Sequence, residues 1–584
     1  MSANEYLFIF TIGPVQSFIA EARRTADLYA GSKILSQLSA AAAQKITEPH
    51  ELIFPHPDTL QGKTSAPNKL VAVLKIDDGQ DAGLAIETVA NDARKAAEAS
   101  WQHMASVALF ELGLQDSKFH PLWERQKQNS LEFYWVALPV TGDYMQTYRE
   151  ANTALDARKR ARLFVQSAED GLKDSLSGLR QALRTHTEPS VEFWQKIRLS
   201  KPENARRVKK YERLDTIAAI KRFGVESDNY PSVSTIASMD FVHALEPADK
   251  EILIDKINTT NQFYTVNDFG RGFPYDGDLL YTSTYQTQRL ETSYDTTRTE
   301  NTRPVVDELR RLHNKMGAPT PYYAILIMDG DSMGKHLSSC HSKMQHQNIS
   351  KRLAEFASSM DMLIQQHHGC LVYAGGDDVL AFLPLSTVLT AAATINQHFQ
   401  QHFADWQEMG QAFPFTMSAG IAVVHHMSPL DWALTEARAA ERVAKNKYNR
   451  NVIVMRLLKR SGDSRQMGGR WETVAMVQSL QDYFKEERLA SRLAHDLLEQ
   501  AVVTTAVPDA YLSTIKLMLK RHKTKDRQKA FTEAEMARLT DTLGQWVADH
   551  KDIVPRKAGT EQSLTELGLW LTFARFAAQG GRDE

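Results

Sequence analysis

Four consecutive residues, Gly375-Gly376-Asp377-Asp378, put two carboxylates on a turn whose first two positions carry no side chain. Carboxylate oxygens are hard ligands of the kind Mg²⁺ or Mn²⁺ requires. A third acid, Asp329, closes the apolar run Tyr322 to Met328 and precedes Asp377 by 48 residues (377 minus 329). That interval holds one crossover helix and an adjacent strand, and adjacent strands lie about 4.8 Å apart, so Asp329 is expected to meet the paired aspartates. Two cations held by Asp329, Asp377 and Asp378 would activate a ribose hydroxyl and stabilise a leaving pyrophosphate. The following residues, Gly330-Asp331-Ser332-Met333-Gly334, open a helix whose free backbone N–H groups suit phosphate. Gly375 and Gly376 let a triphosphate approach the hairpin backbone without a Cβ in the way. Lys445, on a later helix, is a candidate counter-charge for that triphosphate. Each feature has an ordinary alternative, because Gly and Asp favour hairpin turns anyway and a lone helical lysine is usually solvated.

Positioning such a site takes strands and helices in a definite order. Tyr6 to Ile12 reads as a strand ended by Gly13-Pro14, and Val15 to Ile46 as a helix. Leu52 to Phe54 and Leu70 to Leu74 read as short strands, Asp81 to Leu114 as a helix and Phe133 to Leu138 as a strand, giving the order βαββαβ. A second copy begins at Tyr322 to Met328. It continues with a helix over Ser350 to Gln366, a hairpin of Leu371 to Ala374 and Val379 to Leu383, a helix over Thr387 to Phe403 and a strand at Phe415 to Val424. Pro429 to Tyr448 is helical, and Val452 to Leu457 closes the sheet. The expected fold is α+β: two ferredoxin-like palm domains at residues 1–190 and 319–460, a linker domain at 191–318 and a C-terminal helical domain at 461–584. Met467-Gly468-Gly469 is expected to be a flexible boundary.

Bulk composition narrows the partners. Lys plus Arg total 69 against 71 Asp plus Glu among 584 residues, so no global basic field draws the chain to nucleic acid or membrane. Local patches must do so, and the candidates are Arg158-Lys159-Arg160 with Arg162, Arg206 to Arg213, and Lys516 to Lys529; a charge run on a helix is otherwise a solvated face. Cys340 and Cys370 are the only cysteines, which excludes a four-cysteine zinc site and fits a reducing compartment. With no run of about 18 apolar residues and no cleavable leader pattern, a cytoplasmic protein with no membrane partner is expected.

The second unit resembles the palm of GGDEF-type cyclases, and the chain is similar to the large subunit of type III-B (Cmr) CRISPR effector complexes. The resemblance rests on Gly13-Pro14-Val15-Gln16-Ser17-Phe18, Asp27-Leu28-Tyr29-Ala30-Gly31-Ser32, Pro67-Asn68, Arg213-Leu214 to Lys221-Arg222-Phe223, Pro231-Ser232, Asp329 to Gly334, and Tyr373 to Asp378. It implies a synthase that joins ATP into cyclic oligoadenylate messengers, in a complex of sibling subunits with guide RNA, once target RNA is bound. Asp329, Asp377 and Asp378 are then metal ligands, the Gly330 carbonyl completes the coordination, and Lys445 is the phosphate lysine. Adenylate transfer to S-adenosylmethionine by the same palm, or a catalytically silent scaffold, are the alternatives.

Three departures from the family pattern qualify what carries over. Many members carry an N-terminal HD nuclease domain, whereas here the first palm starts at residue 6, so DNA cleavage by such a domain is not expected. The sole His-Asp dipeptide, His495-Asp496, lacks partner histidines. Many members also hold zinc in the linker domain through four cysteines, which two cysteines cannot supply, and no zinc is expected here; His336, Cys340, His341, His367 and His368 are read as scattered surface residues, with zinc binding by them the alternative. Finally, the first palm has Gly13-Pro14 where the second has Asp329-Gly330, and only Asp58 where the second has paired aspartates. That palm is expected to bind nucleotide or give structure without catalysing.

Overall fold

The computed structural model describes residues 4–581 apart from 62–64, 116–119, 162–168, 186–187, 228–229, 268, 297–299, 409–410, 413, 505–509, 527 and 553–561. Side-chain alternation along a strand decides what each sheet covers. In β1 (Asn4–Gly13), Leu7 and Ile9 enter one hydrophobic core while Phe8, Phe10 and Ile12 enter another. With β2 (Glu51–Phe54), β3 (Lys69–Ile76) and β4 (Glu132–Pro139) it forms an antiparallel sheet in the order β2-β3-β1-β4.

The second sheet is built around β5 (Tyr322–Gly330), apolar on both faces until its last residues. The other elements are β6 (Cys370–Gly375), β7 (Asp378–Pro384), β10 (Met417–His425), β11 (Ile453–Leu458) and β12 (Ser464–Gly469), while β8 (Gln407–Glu408) and β9 (Gln411–Ala412) make a separate small hairpin. The order is β12-β11-β10-β5-β7-β6, antiparallel except for the parallel pair β10 and β11. Ala324, Leu326 and Met328 join the core of Leu7 and Ile9, and Tyr323 and Ile325 join that of Phe8 and Phe10, so the two sheets share both cores. The fold is α+β with two sheets.

Phe241, Leu253, Phe273, Leu280 and Leu309 form a separate cluster between the sheets in sequence. Beyond β12, helices Thr473–Lys485, Leu493–Thr504, Tyr511–His522, Glu533–Asp549 and Gln562–Ala578 follow one another. Glu566 ties the last of them to the sheet by accepting from the Tyr448 hydroxyl at 2.6 Å and the Gly468 amide at 2.8 Å.

Two expectations about local structure are corrected. The stretch read as one helix over Val15 to Ile46 is two, Gln16–Ala20 and Thr25–Ala43. The break forms because the buried Lys221 ammonium takes the Phe18 and Glu21 carbonyls, while Asp27 accepts the Arg23 and Arg24 amides and restarts the helix. Met467-Gly468-Gly469 is no flexible boundary but the end of β12, paired with β11. Its glycines answer a packing demand, since a Cβ on Gly468 would strike the Tyr448 ring and one on Gly469 the Thr473 side chain.

Candidate active site

The acids collect at one end of β5. Odd-numbered residues Tyr323 and Ile325 face helix Leu430–Lys447, and the same alternation points Asp329 towards it once the apolar run has ended. Asp329 lies opposite Ser418 on β10. On the other side Met328 pairs with Val379, so continuing that register sets Asp329 beside Asp378. Opposite residues of an antiparallel pair share a face. Between Gly375 and Asp378, which pair, Gly376 and Asp377 form a two-residue hairpin turn. Gly376 takes φ +73°, the left-handed side that a turn of the II′ type demands at its first central position.

Gly330 has a packing reason of its own. An added Cβ would come within 2.9 Å of the Asp377 Cβ and Oδ2 and 2.8 Å of the Met333 side chain. The Asp377 carboxylate therefore lies directly over the Gly330 backbone, whose amide hydrogen-bonds to it. Gly375 is as constrained, because a Cβ there would overlap the Tyr373 phenol. Gly376 faces the first sheet, with Phe54 at 3.8 Å from the position of its absent Cβ.

Helix Leu430–Lys447 overhangs this end of the sheet because Gly420 of β10 lets it approach; a Cβ there would overlap the Glu441 and Ala437 backbone. One helical turn apart, Glu441 and Lys445 then reach the acids. The Lys445 ammonium pairs with Asp329 and stands 3.3 Å from the Glu441 carboxylate. Burial, then the Arg450 charge, lowers Lys445 to about 8. Burial raises Asp377, with the neighbouring Asp378 charge adding to it, and burial raises Asp378 also. Glu441 is raised by burial and then by Asp378. Four carboxylates thus share one low-dielectric corner with one close ammonium, a balance that an added divalent cation would relieve.

The remaining site candidates are distributed differently. Asp331 is buried and its carboxylate accepts from the Thr416 hydroxyl at 2.8 Å, the Ser418 hydroxyl at 2.6 Å and the Asn451 amide at 2.9 Å. It joins the ends of β5 and β10 to the loop before β11, where Asn449, Arg450 and Asn451 are all left-handed. Ser332 is left-handed too, Met333 is buried, and Gly334 is exposed in a helix of only six residues, Met333–Ser338. Glu441 was missed in the sequence, although its place one turn before Lys445 was a usable signal.

The reading of scattered surface histidines is corrected at His336, which is 2% exposed and stacks on Phe415 with ring centroids 3.8 Å apart. Burial holds it neutral by lowering it to about 4. Cys340 is buried beside it, whereas His368 lies against His243 elsewhere, their rings tilted with centroids 4.1 Å apart. Asp496 pairs with Arg492 and His522. The Asp58 side chain, Arg162 and Arg527 lie outside the described residues.

Comparison with known proteins follows the same division of the chain. The model of the second palm domain of Cas10/Cmr2 matches residues 322–454, which contain all four acids. The model of the N-terminal part of the CRISPR-associated protein Cmr2 matches residues 7–106. Two separate stretches of the chain thus match domain models of the Cas10/Cmr2 family. It is 35% identical over 217 residues to the CRISPR system Cmr subunit Cmr2 of Pyrococcus furiosus, a match spanning 32% of this chain and 24% of that relative's length. Among solved structures, the type III-B Cmr-beta complex in its apo state contains a chain with TM-score 0.65 and 13% identity, over 90% of this chain and 78% of that one. The same complex bound to cognate target RNA gives 0.63 and 14%, over 90% and 79%. At these identities the likeness is one of fold. The acid corner lies within the stretch that matches the second-palm model, and Gly13-Pro14 within the stretch that matches the N-terminal model.

Proposed function

We propose that this chain is the Cas10/Cmr2 subunit of a type III-B CRISPR effector complex, and that its second palm is a metal-dependent nucleotidyltransferase making cyclic oligoadenylates from ATP. Both sheets are read as ferredoxin-like palms, since β2-β3-β1-β4 and β6-β7-β5-β10 repeat one strand order. The observation that carries the reading is the meeting of Asp329, Asp377, Asp378 and Glu441 under Lys445.

The donor set fits Mg²⁺ or Mn²⁺: all-oxygen and acidic, with burial raising Asp377, Asp378 and Glu441 where no cation balances them. Bound there, such ions would polarise the α-phosphate of one ATP and the 3′-hydroxyl of another for in-line displacement. The protein's own part is positional. Asp377, held over Gly330 by a backbone hydrogen bond, and Asp378, at the start of β7, present oxygens from a rigid hairpin. Lys445 exchanges Asp329 for triphosphate oxygens when nucleotide arrives, and Glu441 keeps its ammonium aimed at the corner. Gly376 keeps the hairpin backbone bare of a side chain where it faces Phe54 of the first sheet. Sibling subunits, guide RNA and target RNA complete the assembly, in line with the target-RNA-bound Cmr-beta relative.

The test is to incubate the assembled complex with labelled ATP and Mg²⁺, with and without target RNA, and to identify products by mass. Cyclic oligoadenylate that depends on target RNA and disappears in the Asp377→Ala, Asp378→Ala variant is expected. Unchanged product in that variant would defeat the assignment.

A further inference from the structure

Arg206 to Arg213 is a basic run that the acid corner does not use. In the fold it meets the Arg23-Arg24 break of the first helical stretch and two tyrosines of the middle region. The Arg24 guanidinium donates to the Arg206 and Arg207 carbonyls at 2.6 and 2.7 Å, fixing the two segments together. The Arg206 guanidinium lies over the Tyr264 ring at 4.5 Å, and the Lys209 ammonium lies 5.8 Å from the Tyr294 centroid.

These groups line a cavity of about 550 Å³. Its cations are Arg23, Arg24, Arg206, Lys209 and Arg289, against the carboxylates Asp276 and Asp278. Both acids are already engaged: Asp276 accepts from Ser232 at 2.9 Å and from the Asp278 amide at 2.9 Å, and Asp278 pairs with Arg289. His426, also in the lining, is held neutral by burial and the nearby His425, Arg289 and Arg460. Among the described residues Arg23 and Arg206 have no carboxylate partner, so the cavity keeps unbalanced positive charge beside the half-buried Tyr264 and Tyr294 rings.

The concavity does not end there. Tyr230 and Asn267 also line a neighbouring cavity of about 660 Å³, where Tyr230 stacks on Tyr29 with centroids 4.9 Å apart. On the other side Arg23 is shared with a third, of about 450 Å³, lined by Tyr211 and Arg213. Tyr211 is 64% exposed on a left-handed backbone with φ 70°. The 660 Å³ hollow sets Lys33 against Glu226 and Asp361 and offers ring faces rather than charge, while the two hollows that share Arg23 carry the excess of cations. Adjoining hollows of these two kinds suit a chain of nucleotides better than one free nucleotide, because backbone phosphates repeat at intervals and any base offers a ring face for stacking.

From this arrangement we infer that the Arg23, Arg206, Lys209 and Tyr264 groove is a binding site for single-stranded RNA. Phosphates lie against Arg23 and Arg206, and a base stacks at the Tyr264 and Tyr294 rings. The site is separate from the acid corner and stands whether or not that corner is catalytic.

The experiment measures anisotropy of a fluorescein-labelled 12-nucleotide oligouridine with the full chain, across a salt series. The Arg23→Ala, Arg206→Ala variant is expected to bind about 10-fold more weakly or worse, with a salt slope shallower by about 1.4, roughly 0.7 for each phosphate no longer neutralised. Tyr264→Ala is expected to lose about 10-fold with the slope unchanged, and Tyr264→Phe to keep wild-type affinity, because stacking needs the ring alone. Lys520→Ala with Arg521→Ala, on the C-terminal helix Tyr511–His522, and Asp377→Ala with Asp378→Ala should both leave binding unchanged. Unaltered affinity in the arginine pair and in Tyr264→Ala, both folded by circular dichroism, would overturn the inference. So would duplex RNA of equal length binding as tightly, or AMP displacing the oligonucleotide at equal concentration.

Discussion

At the end of β5 the chain reads Asp329-Gly330; at the matching end of β1 it reads Gly13-Pro14. Both strands sit at the same place in a repeated strand order, and both feed a short helix followed by a long one. The hairpins beside them differ as much as the strand ends. β6 and β7 turn in two residues and carry the paired aspartates, whereas β2 and β3 are separated by the span 55–68, with a 3₁₀ turn at Pro57–Gln61. Charge is spent differently too. In the second sheet it gathers at the open end, while in the first it is buried under the helices, where Arg222 lies between Asp27 and Glu212 at 2.8 and 2.6 Å. The comparison teaches that one scaffold can gather its ionic groups at an open strand end or lock them inside under the helices. The two outcomes depend on a handful of side chains at equivalent positions.

The sharpest way to break this comparison is to remove the acids. Asp377→Ala with Asp378→Ala should cut Mg²⁺-dependent ATP conversion by roughly 10³-fold or more, the scale of losing a principal charge-stabilising group, while the melting temperature is preserved. Retained conversion would put the chemistry elsewhere.

Arg222→Met tests the opposite half. Leaving Asp27 and Glu212 unpaired in the core should cost about 3–5 kcal/mol, read from urea unfolding at neutral pH. Direct charge pairing with Arg222 outweighs burial and holds both acids below the usual range, Glu212 to about 2. Folded-state values below unfolded ones mean that their stabilisation is complete above about pH 5 and fades as pH falls towards 2. The gap between wild type and Arg222→Met should narrow over that window. A gap independent of pH would show that Arg222 acts by packing alone.

Glycine substitutions at the two strand ends compare the scaffolds directly. Gly330→Ala pushes the Asp377 carboxylate off its seat and should lower turnover by about 10²-fold, since displacements near 1 Å are that costly. Gly13→Ala meets nothing nearer than the Glu132 carboxylate at 3.9 Å and should change stability by less than about 0.5 kcal/mol. Between these lies Glu441→Gln, expected to weaken Mg²⁺ activation by about 10-fold in a metal titration, as loss of a supporting carboxylate does. Equal effects at Gly330 and Gly13 would erase the distinction between the two ends.

Much of this was legible in residue order. The alternation of short apolar runs with helical spacing located most strands within a residue or two, because a strand buried on both faces must be apolar throughout, as Tyr322 to Met328 is. Gly375-Gly376-Asp377-Asp378 announced a tight turn, since φ +73° at Gly376 is open to glycine and costly to most other residues. On a helix rich in Arg, Lys and Glu, the one mark of Glu441 in the sequence is its place one turn before Lys445, and only the approach of that helix to the sheet shows that it faces the acids.

Local chemistry along the chain was enough to name the three aspartates, the lysine and the order of strands, since turns and strands answer to neighbours within a few residues. Folding had to supply everything that spans long separations. Gly420 draws a helix down so that Glu441 and Lys445 overhang β5, Asp331 disappears into a three-way anchor, and Arg23 meets Arg206 across 183 residues (206 minus 23). Such meetings follow from how close two backbones come and how much water is excluded between them, and neither quantity is written in the spacing of residues along one strand or helix.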